Sequence, residues 1–203
     1  MPAPEAVVLI PAYEPGPPLT ALVAELSTAP QIAGIVVVND GSSAPCQPIF
    51  AAIEKMPRVR VVAHAENQGK GAALKTGFQY ILTNHPYSGI VTADADGQHI
   101  AKDIIRVAEA LRETPDTVVL GARTMNTTAP LRSRFGNGLT RVIMRGVTGQ
   151  TLTDTQTGLR GIPSEFIPHL LRLPSTRYDF ELDMLITCRE KSQPLSLFGL
   201  RRR

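Results

Sequence analysis

The fold of this chain is decided by one short stretch, Gly89-Ile90-Val91-Thr92-Ala93-Asp94-Ala95-Asp96. Its first five residues form an uncharged run that is typical of a short buried strand. Two aspartates follow at the carboxyl end of this predicted strand. Hard cations such as Mg2+ take oxygen ligands and share them with substrate phosphates, so the pair suits a divalent cation and a diphosphate. The same Asp-x-Asp pattern is common in solvated turns, and the rest of the chain has to distinguish the two.

The composition is that of a globular protein with a single domain. The chain has 203 residues, 43% hydrophobic and 19% charged, which is enough for an α/β domain with its own core. The net charge is only +3, but residues 123–145 contain five arginines and no acidic residue. Such a local bias suits an anionic substrate or a membrane surface, and no nucleic-acid partner is expected.

The chain has the features of a cytoplasmic protein. Its two cysteines, Cys46 and Cys188, are far apart in sequence, which is typical of a reduced compartment. No apolar run approaches the roughly 18 residues that span a bilayer. The start, Met1-Pro2-Ala3-Pro4-Glu5, lacks the basic and apolar regions of a signal peptide.

Short apolar runs alternate with helical patterns in the first part of the chain. Strands are predicted at residues 7–10, 35–38, 59–62, 90–93 and 118–120. Apolar residues recur at helical spacing around 19–26, 49–53, 74–81 and 104–111. This alternation, with strands that are apolar throughout, predicts an α/β fold with a mostly parallel sheet flanked by helices.

The carboxyl ends of the predicted strands should meet at one edge of the sheet. Right-handed crossovers produce this arrangement, and ligands of open α/β sheets bind at that edge. The loops that we expect to converge there are residues 11–14, 39–42, 67–70, 94–96 and 121–123.

The second part of the chain has a different pattern. Residues 131–149 place Phe135, Leu139, Val142 and Ile143 on one helical face among arginines. This pattern predicts an interfacial helix at a membrane surface, with packing of the same face on the core as the alternative. A polar loop at residues 154–161 then enters a strand, and a last helix contains Leu182, Leu185 and Ile186.

The loops at the predicted edge exclude some chemistries. The loop after the first strand, Pro11-Ala12-Tyr13-Glu14-Pro15-Gly16, is not a dinucleotide fingerprint, and Gly69-Lys70-Gly71 is not a P-loop. Hydride transfer, P-loop phosphoryl transfer and sugar-1-phosphate nucleotidyl transfer are therefore disfavoured.

Several polar residues in these loops suit a nucleotide. The Asp40 carboxylate can accept hydrogen bonds from a base or ribose, or it can cap a turn. Gly69 and Lys70 precede a helix start, where backbone N–H groups and a lysine can meet an anion, or they form an ordinary loop-to-helix junction. Gln98 can complete a metal shell, whereas His99 is expected to be a surface or capping residue.

Five motifs, taken in order, resemble the family-2 inverting glycosyltransferases, which have the glycosyltransferase A type of nucleotide-sugar-binding, Rossmann-like fold. The similar branch is that of the polyprenyl-phosphate sugar transferases, such as dolichyl-phosphate mannose synthase and the bactoprenol glucosyl transferases. The resemblance extends from Val7 to about Ile186. The motifs are Val8-Leu9-Ile10-Pro11-Ala12-Tyr13-Glu14, Val38-Asn39-Asp40-Gly41-Ser42, Asn67-Gln68-Gly69-Lys70-Gly71-Ala72-Ala73-Leu74, Thr92-Ala93-Asp94-Ala95-Asp96-Gly97-Gln98 and Asp154-Thr155-Gln156-Thr157-Gly158-Leu159-Arg160.

The resemblance implies a role for each matched residue. The donor, a nucleoside diphosphate sugar, would be bound by Pro11, Tyr13, Glu14, Asp40, Lys70 and Asp94. Mg2+ or Mn2+ would be bound against its diphosphate by Asp94, Asp96 and Gln98. The phosphate of the acceptor would be bound by Arg123, Arg134 and Arg160. Asp94, Asp96, Arg123 and Arg160 would then carry the catalysis. Residues 1–123 would form the nucleotide-sugar-binding half and residues 124–203 the acceptor-binding half of one domain.

The activity implied is a metal-dependent transfer of a sugar, with inversion, to a polyprenyl phosphate. The enzyme would lie peripherally at the inner face of the cytoplasmic membrane. A lipid monophosphate, whose second pKa is near ~6, is largely ionised at neutral pH and needs arginines more than a general base.

Two alternatives remain open. A saccharide hydroxyl acceptor in cell-surface polysaccharide assembly would require a base, for which Asp154 and Glu181 are candidates. A catalytically deficient nucleotide-binding domain would act through a membrane partner protein. The second alternative arises because the tail, residues 196–203, does not match the family's next strand, so we expect a C-terminus that is truncated relative to the family.

Overall fold

The computed structural model describes residues 6–84, 88–123 and 158–200. Within these ranges the strands are β1 (Ala6–Ala12), β2 (Ile32–Asn39), β3 (Val59–Ala63), β4 (Gly89–Thr92), β5 (Val118–Arg123), β6 (Arg160–Pro163) and β7 (Leu195–Leu200). The helices are α1 (Pro17–Thr28), α2 (Gln47–Ile53), α3 (Lys70–Asn84), α4 (Ala101–Glu113), α5 (Ile167–Leu171) and α6 (Phe180–Glu190). The predicted alternation of strands and helices in the first part of the chain is confirmed.

All seven strands belong to one sheet, in the order β3-β2-β1-β4-β6-β5-β7. β1 pairs in parallel with β2 over its whole length and with β4 at Val7, Val8 and Leu9. Among the described strands only β6 runs antiparallel to its neighbours, β4 and β5, while β7 runs parallel to β5. The sheet is therefore mixed and mostly parallel, as the sequence predicts.

Both faces of the sheet are buried, which explains why the strands are apolar throughout. Val8 and Ile10 of β1 point into a core that they share with α1, α2 and α4. Val7 and Leu9 point to the opposite core, which contains α3, α5 and α6. All four side chains are fully inaccessible to solvent. Period-two alternation therefore places an apolar residue on each face in turn.

Two features of the sheet were not predicted. β6 lies antiparallel between β4 and β5. The segment Leu195–Leu200, which had no predicted strand, pairs with β5 as an edge strand. There the guanidinium of Arg106 lies 4.7 Å from the ring centroid of Phe198. The places of both strands in the sheet depend on partners distant in sequence, which a local pattern does not identify.

The predicted interfacial helix at residues 131–149 lies outside the described residues, as do Arg134 and Asp154. In the ranges that are described, no helix is long and apolar enough to cross a membrane.

Gly41 fixes the approach of two loops at the carboxyl edge. Its φ is +70°, in the left-handed region that favours glycine. A Cβ at this position would overlap the backbone of Glu66 and Asn67. The turn after β2 can therefore contact the loop after β3 only if residue 41 has no side chain.

We predict that Gly41→Ala lowers the free energy of unfolding by about 2 kcal/mol or more, since it combines overpacking with an unfavourable φ. Urea denaturation measures the change. The control is Gly199→Ala in β7, where a Cβ would meet no atom within 4 Å. That change should stay within about 0.5 kcal/mol of the wild type. Equal losses in the two variants would contradict the close approach.

Candidate active site

The loops after β1 and β2 form one unit. The backbone N–H of Glu14 donates to the Ser42 hydroxyl at 3.0 Å. The Glu14 carboxylate accepts from the Ser43 backbone N–H at 2.6 Å and from the Ser43 hydroxyl at 2.9 Å. These bonds, the backbone one first, lower the pKa of Glu14. Pro11 lies next to the last residue of β1. Tyr13, between Pro11 and Glu14 in sequence, remains 56% exposed. The two loops thus form a joined rim with an exposed aromatic ring.

Asp40 connects this rim to the loop before α3. Its side chain is buried, and the Nδ1 of His64 lies 2.7 Å from Oδ1. Oδ1 also accepts from the Gln68 backbone N–H and Oδ2 from the Gly69 backbone N–H, each at 2.9 Å. His64 Nε2 lies 2.9 Å from the Thr76 hydroxyl. Asp40 therefore holds the backbone that leads into α3, and both its oxygens make protein contacts.

An ionic chain extends from the loop after β4 to β6, and its members are His99, Asp94, Lys70, Glu181 and Arg160. Lys70 Nζ lies 2.7 Å from Asp94 Oδ1 and 3.1 Å from Glu181 Oε2. Asp94 Oδ2 lies 3.4 Å from His99 Nε2. Arg160 donates to the Glu181 backbone carbonyl at 2.9 Å and lies 3.6 Å from its Oε1. From Asp94 to Arg160, negative and positive groups therefore alternate along the chain.

The contacts along this chain keep Asp94 and Lys70 charged. Burial tends to raise the pKa of Asp94, but its hydrogen bond with His99 and the Lys70 ammonium outweigh burial and hold that pKa well below its usual range. Burial tends to lower the pKa of Lys70, but the carboxylates of Glu181 and Asp94 outweigh it and raise that pKa. At neutral pH the site therefore contains an ionised Asp94 and an ionised Lys70.

Gly158 supports Asp94 from behind. A Cβ on Gly158 would overlap the Asp94 carboxylate, so a side chain at residue 158 would displace that carboxylate. The Thr92 hydroxyl donates to the Gly158 backbone carbonyl at 2.8 Å, which fixes this approach. The segment Gly158-Leu159-Arg160, distant in sequence from the aspartates, thus forms one wall of the site at Asp94.

The expectation that His99 is a surface or capping residue is wrong. His99 is 5% exposed, and its Nδ1 has no hydrogen-bond partner among the described residues. His64 is a second residue that the sequence analysis missed. Its position directly after β3, at the carboxyl edge, was the available signal.

The residues proposed for a metal provide hard oxygen donors. Asp96 and Gln98 are exposed, and Asp96 Oδ1 accepts from the Gln98 backbone N–H at 2.9 Å. Among the residues that the structure describes, no group of three or more His, Cys, Asp or Glu side chains is arranged to hold a metal. The ammonium of Lys70 lies against Asp94, so a cation already contacts this carboxylate. The oxygen chemistry of these side chains suits a divalent cation, and the Lys70 ammonium is the group that contacts Asp94 in this structure.

The structure brings most of the predicted residues to one edge of the sheet. Two of the arginines, Arg123 and Arg160, lie within strands and not in the loops where they were predicted. Arg123 is the last residue of β5 rather than part of a loop beyond it. Arg160 is the first residue of β6, is only 4% exposed and points its guanidinium at Glu181. Glu181, the candidate base, is itself paired with two cations.

The family description Glycosyl transferase family 2 matches residues 7–167. The chain belongs to glycosyltransferase family 2. The predicted family and enzyme class are therefore confirmed, and the match includes the rim loops, the aspartates after β4 and the start of α5.

Three relatives of this glycosyltransferase show the range of its similarity. An uncharacterised protein of Methanocaldococcus jannaschii is 34% identical over 161 residues, which are 77% of this chain and 64% of the relative. The UDP-N-acetylglucosamine–dolichyl-phosphate N-acetylglucosaminyltransferase of Methanococcus voltae is 28% identical over 77% of this chain and 69% of its own. The polyprenol monophosphomannose synthase of Mycolicibacterium smegmatis is 26% identical over 90% of this chain and 71% of its own. The chain thus spans less than two thirds of the first relative.

A solved structure confirms the fold of the glycosyltransferase. The glucosyl-3-phosphoglycerate synthase of Mycobacterium tuberculosis, in complex with Mn2+, UDP-glucose and phosphoglyceric acid, superposes with a TM-score of 0.70. The identity is 17%, and the match covers 98% of this chain and 72% of the other. The predicted glycosyltransferase A fold is confirmed by this similarity.

We predict that Asp40→Asn lowers the free energy of unfolding by about 1–3 kcal/mol, because an amide cannot accept hydrogen bonds on both sides in a buried site. Chemical denaturation measures the loss. The exposed Asp116 provides the same chemical change in Asp116→Asn as a control, and that variant should match the wild type. If Asp40→Asn were as stable as Asp116→Asn, the bonds to the loop before α3 would not hold in solution.

Proposed function

We propose that this glycosyltransferase transfers a sugar from a nucleoside diphosphate sugar to a polyprenyl phosphate, with inversion and with a divalent cation. One observation carries the proposal, which is the order of the site residues along the carboxyl edge. Neighbouring positions carry Asp40 after β2, Glu14 after β1, Asp94 after β4, Arg160 opposite Thr92, and Arg123 at the end of β5. Along this edge the residues proposed for the nucleoside would come first, those for the diphosphate next, and those for the acceptor phosphate last. The names of the relatives from M. voltae and M. smegmatis support the lipid-phosphate acceptor.

The donor half of the site is the rim formed by Pro11, Tyr13, Glu14 and Asp40. Tyr13 is the exposed ring on this rim, and an aromatic face can cover a base. Asp40 acts on the nucleoside through the backbone that it fixes, since both its oxygens are in use. The Lys70 ammonium, at the first residue of α3, would face the diphosphate.

Asp94, Asp96 and Gln98 would hold the divalent cation. A bound cation supplies charge neutralisation as negative charge develops on the leaving diphosphate. The close packing of Gly158 fixes the Asp94 carboxylate for this role, and the exposed Asp96 and Gln98 are accessible from solvent.

The acceptor half contains arginines near the sugar position. A phosphate monoester is an ionised nucleophile, and guanidinium forks bind its oxygens in a fixed orientation. Arg160 reaches this role by exchanging part of its contact with Glu181 for the phosphate. Because Glu181 already pairs with Lys70 and Arg160, it is poorly placed to serve as the base that a saccharide hydroxyl would require. A lipid acceptor also means that the enzyme acts in peripheral contact with the cytoplasmic membrane.

We expect Asp96→Ala to weaken nucleoside diphosphate binding in Mn2+ at least about tenfold, since it removes an oxygen ligand of the cation. Calorimetry with UDP and GDP, in Mn2+ and in EDTA, measures the effect. In EDTA the variant and the wild type should bind equally. Asp116→Ala, an exposed site, is the control. Equal wild-type affinity in Mn2+ and EDTA would rule out the metal assignment.

We expect Arg160→Lys to reduce sugar transfer to polyprenyl phosphate at least about tenfold while donor affinity changes little, because lysine keeps the charge and loses the fork. Transfer rates and donor affinity are measured on the same preparation. The matched control is Arg172→Lys, at an exposed position. If donor affinity and transfer fell together, the role of Arg160 would be to hold α6 in place through Glu181. That result would favour a saccharide as the acceptor.

A further inference from the structure

The cation that contacts Asp94 in this structure is the Lys70 ammonium. Its Nζ is 2.7 Å from Asp94 Oδ1 and 3.1 Å from Glu181 Oε2. The three side chains are only 19–25% exposed. Each carboxylate oxygen that faces Lys70 is therefore already paired with a partly buried ammonium.

The backbone around Lys70 holds it in this position. Gly69 and Gly71, on either side, pack so closely on the segment before α6 that a Cβ on either would clash with Thr176 or its neighbours. The Ala72 backbone N–H donates to the Thr176 carbonyl at 2.8 Å. The start of α3 is thus fixed to the segment that leads to Glu181. This packing holds the backbone of Lys70 near Glu181, the second carboxylate that its ammonium contacts.

A divalent cation and the Lys70 ammonium cannot both lie against Asp94 without strong repulsion between like charges. The ammonium has a second partner, Glu181, so it can leave Asp94 without losing every countercharge. A diphosphate brings several negative charges to the same place and compensates both cations at once. A cation alone brings no such compensation.

We propose that Lys70 excludes a divalent cation from Asp94 until a nucleoside diphosphate arrives, so that cation and donor bind as one unit. This inference rests on the proposed metal-dependent function and adds an order to it. Reciprocity of binding requires the effect in both directions: the nucleotide raises the affinity for the cation, and the cation raises the affinity for the nucleotide.

The test is Mn2+ binding without nucleotide, followed by the electron paramagnetic resonance signal of free Mn2+. Lys70→Met should bind Mn2+ at least about tenfold more tightly than the wild type. Lys70→Gln, which keeps a hydrogen-bond donor but no charge, should behave in the same way and provides a second variant if the first is unstable. Lys55→Met, an exposed lysine, controls for the change in net charge and should match the wild type.

A double variant shows whether the gain arises at Asp94. Lys70→Met with Asp94→Asn should lose the added Mn2+ affinity. Equal Mn2+ affinity of the wild type and both Lys70 variants, including no binding by any of them, overturns the inference, as does a gain that persists without Asp94. Sugar transfer by the wild-type enzyme is measured separately. The wild-type enzyme could transfer sugar in Mn2+ while the Lys70 variants bind Mn2+ no more tightly than it does. That result would contradict this inference and leave the proposed function intact.

Discussion

The parallel pairing of β1 with both β2 and β4 is the constraint on which the rest of the structure depends. Val7, Val8, Leu9 and Ile10 are inaccessible to solvent because helices cover both faces of the sheet. Since the three strands run in one direction, their following loops meet at one edge. Contacts between these loops then form over large distances in sequence. Glu14 bonds to Ser43, and Asp40 bonds to the backbone before α3.

Charge neutralisation is the second requirement of this edge. Partly buried charges are costly unless each has a partner and hydrogen bonds. Lys70 meets two carboxylates, and Glu181 meets two cations, so no central member of the ionic chain is left without countercharge. The same arrangement that stabilises the protein without ligand determines what a ligand must displace. Under the proposed function, an incoming diphosphate and cation would match this arrangement, because together they would replace these charges.

Much of the fold and part of the site follow from the sequence. Runs such as Val36-Val37-Val38 identify buried strands, and a parallel sheet brings Asp40 and Asp94 to one edge without knowledge of any contact. A strand after the polar loop at residues 154–161 was predicted, but its antiparallel place between β4 and β5 was not, and β7 was not predicted. Both depend on pairing with strands distant in sequence. The burial of His99 and the pairing of Arg160 with Glu181 depend on elements that approach only in three dimensions. Local periodicity contains no information about such approaches.

The central claim is the transfer of a sugar to a lipid phosphate, and the most direct measurement supplies both substrates. The enzyme is incubated with a panel of radiolabelled nucleoside diphosphate sugars in Mn2+ or Mg2+, with polyprenyl phosphate, with a saccharide acceptor, or with neither. The account predicts that label from at least one donor enters the lipid phase only when polyprenyl phosphate and the cation are both present. Label transferred to the saccharide instead, or no transfer from any donor by a protein that still binds nucleotide, would contradict it.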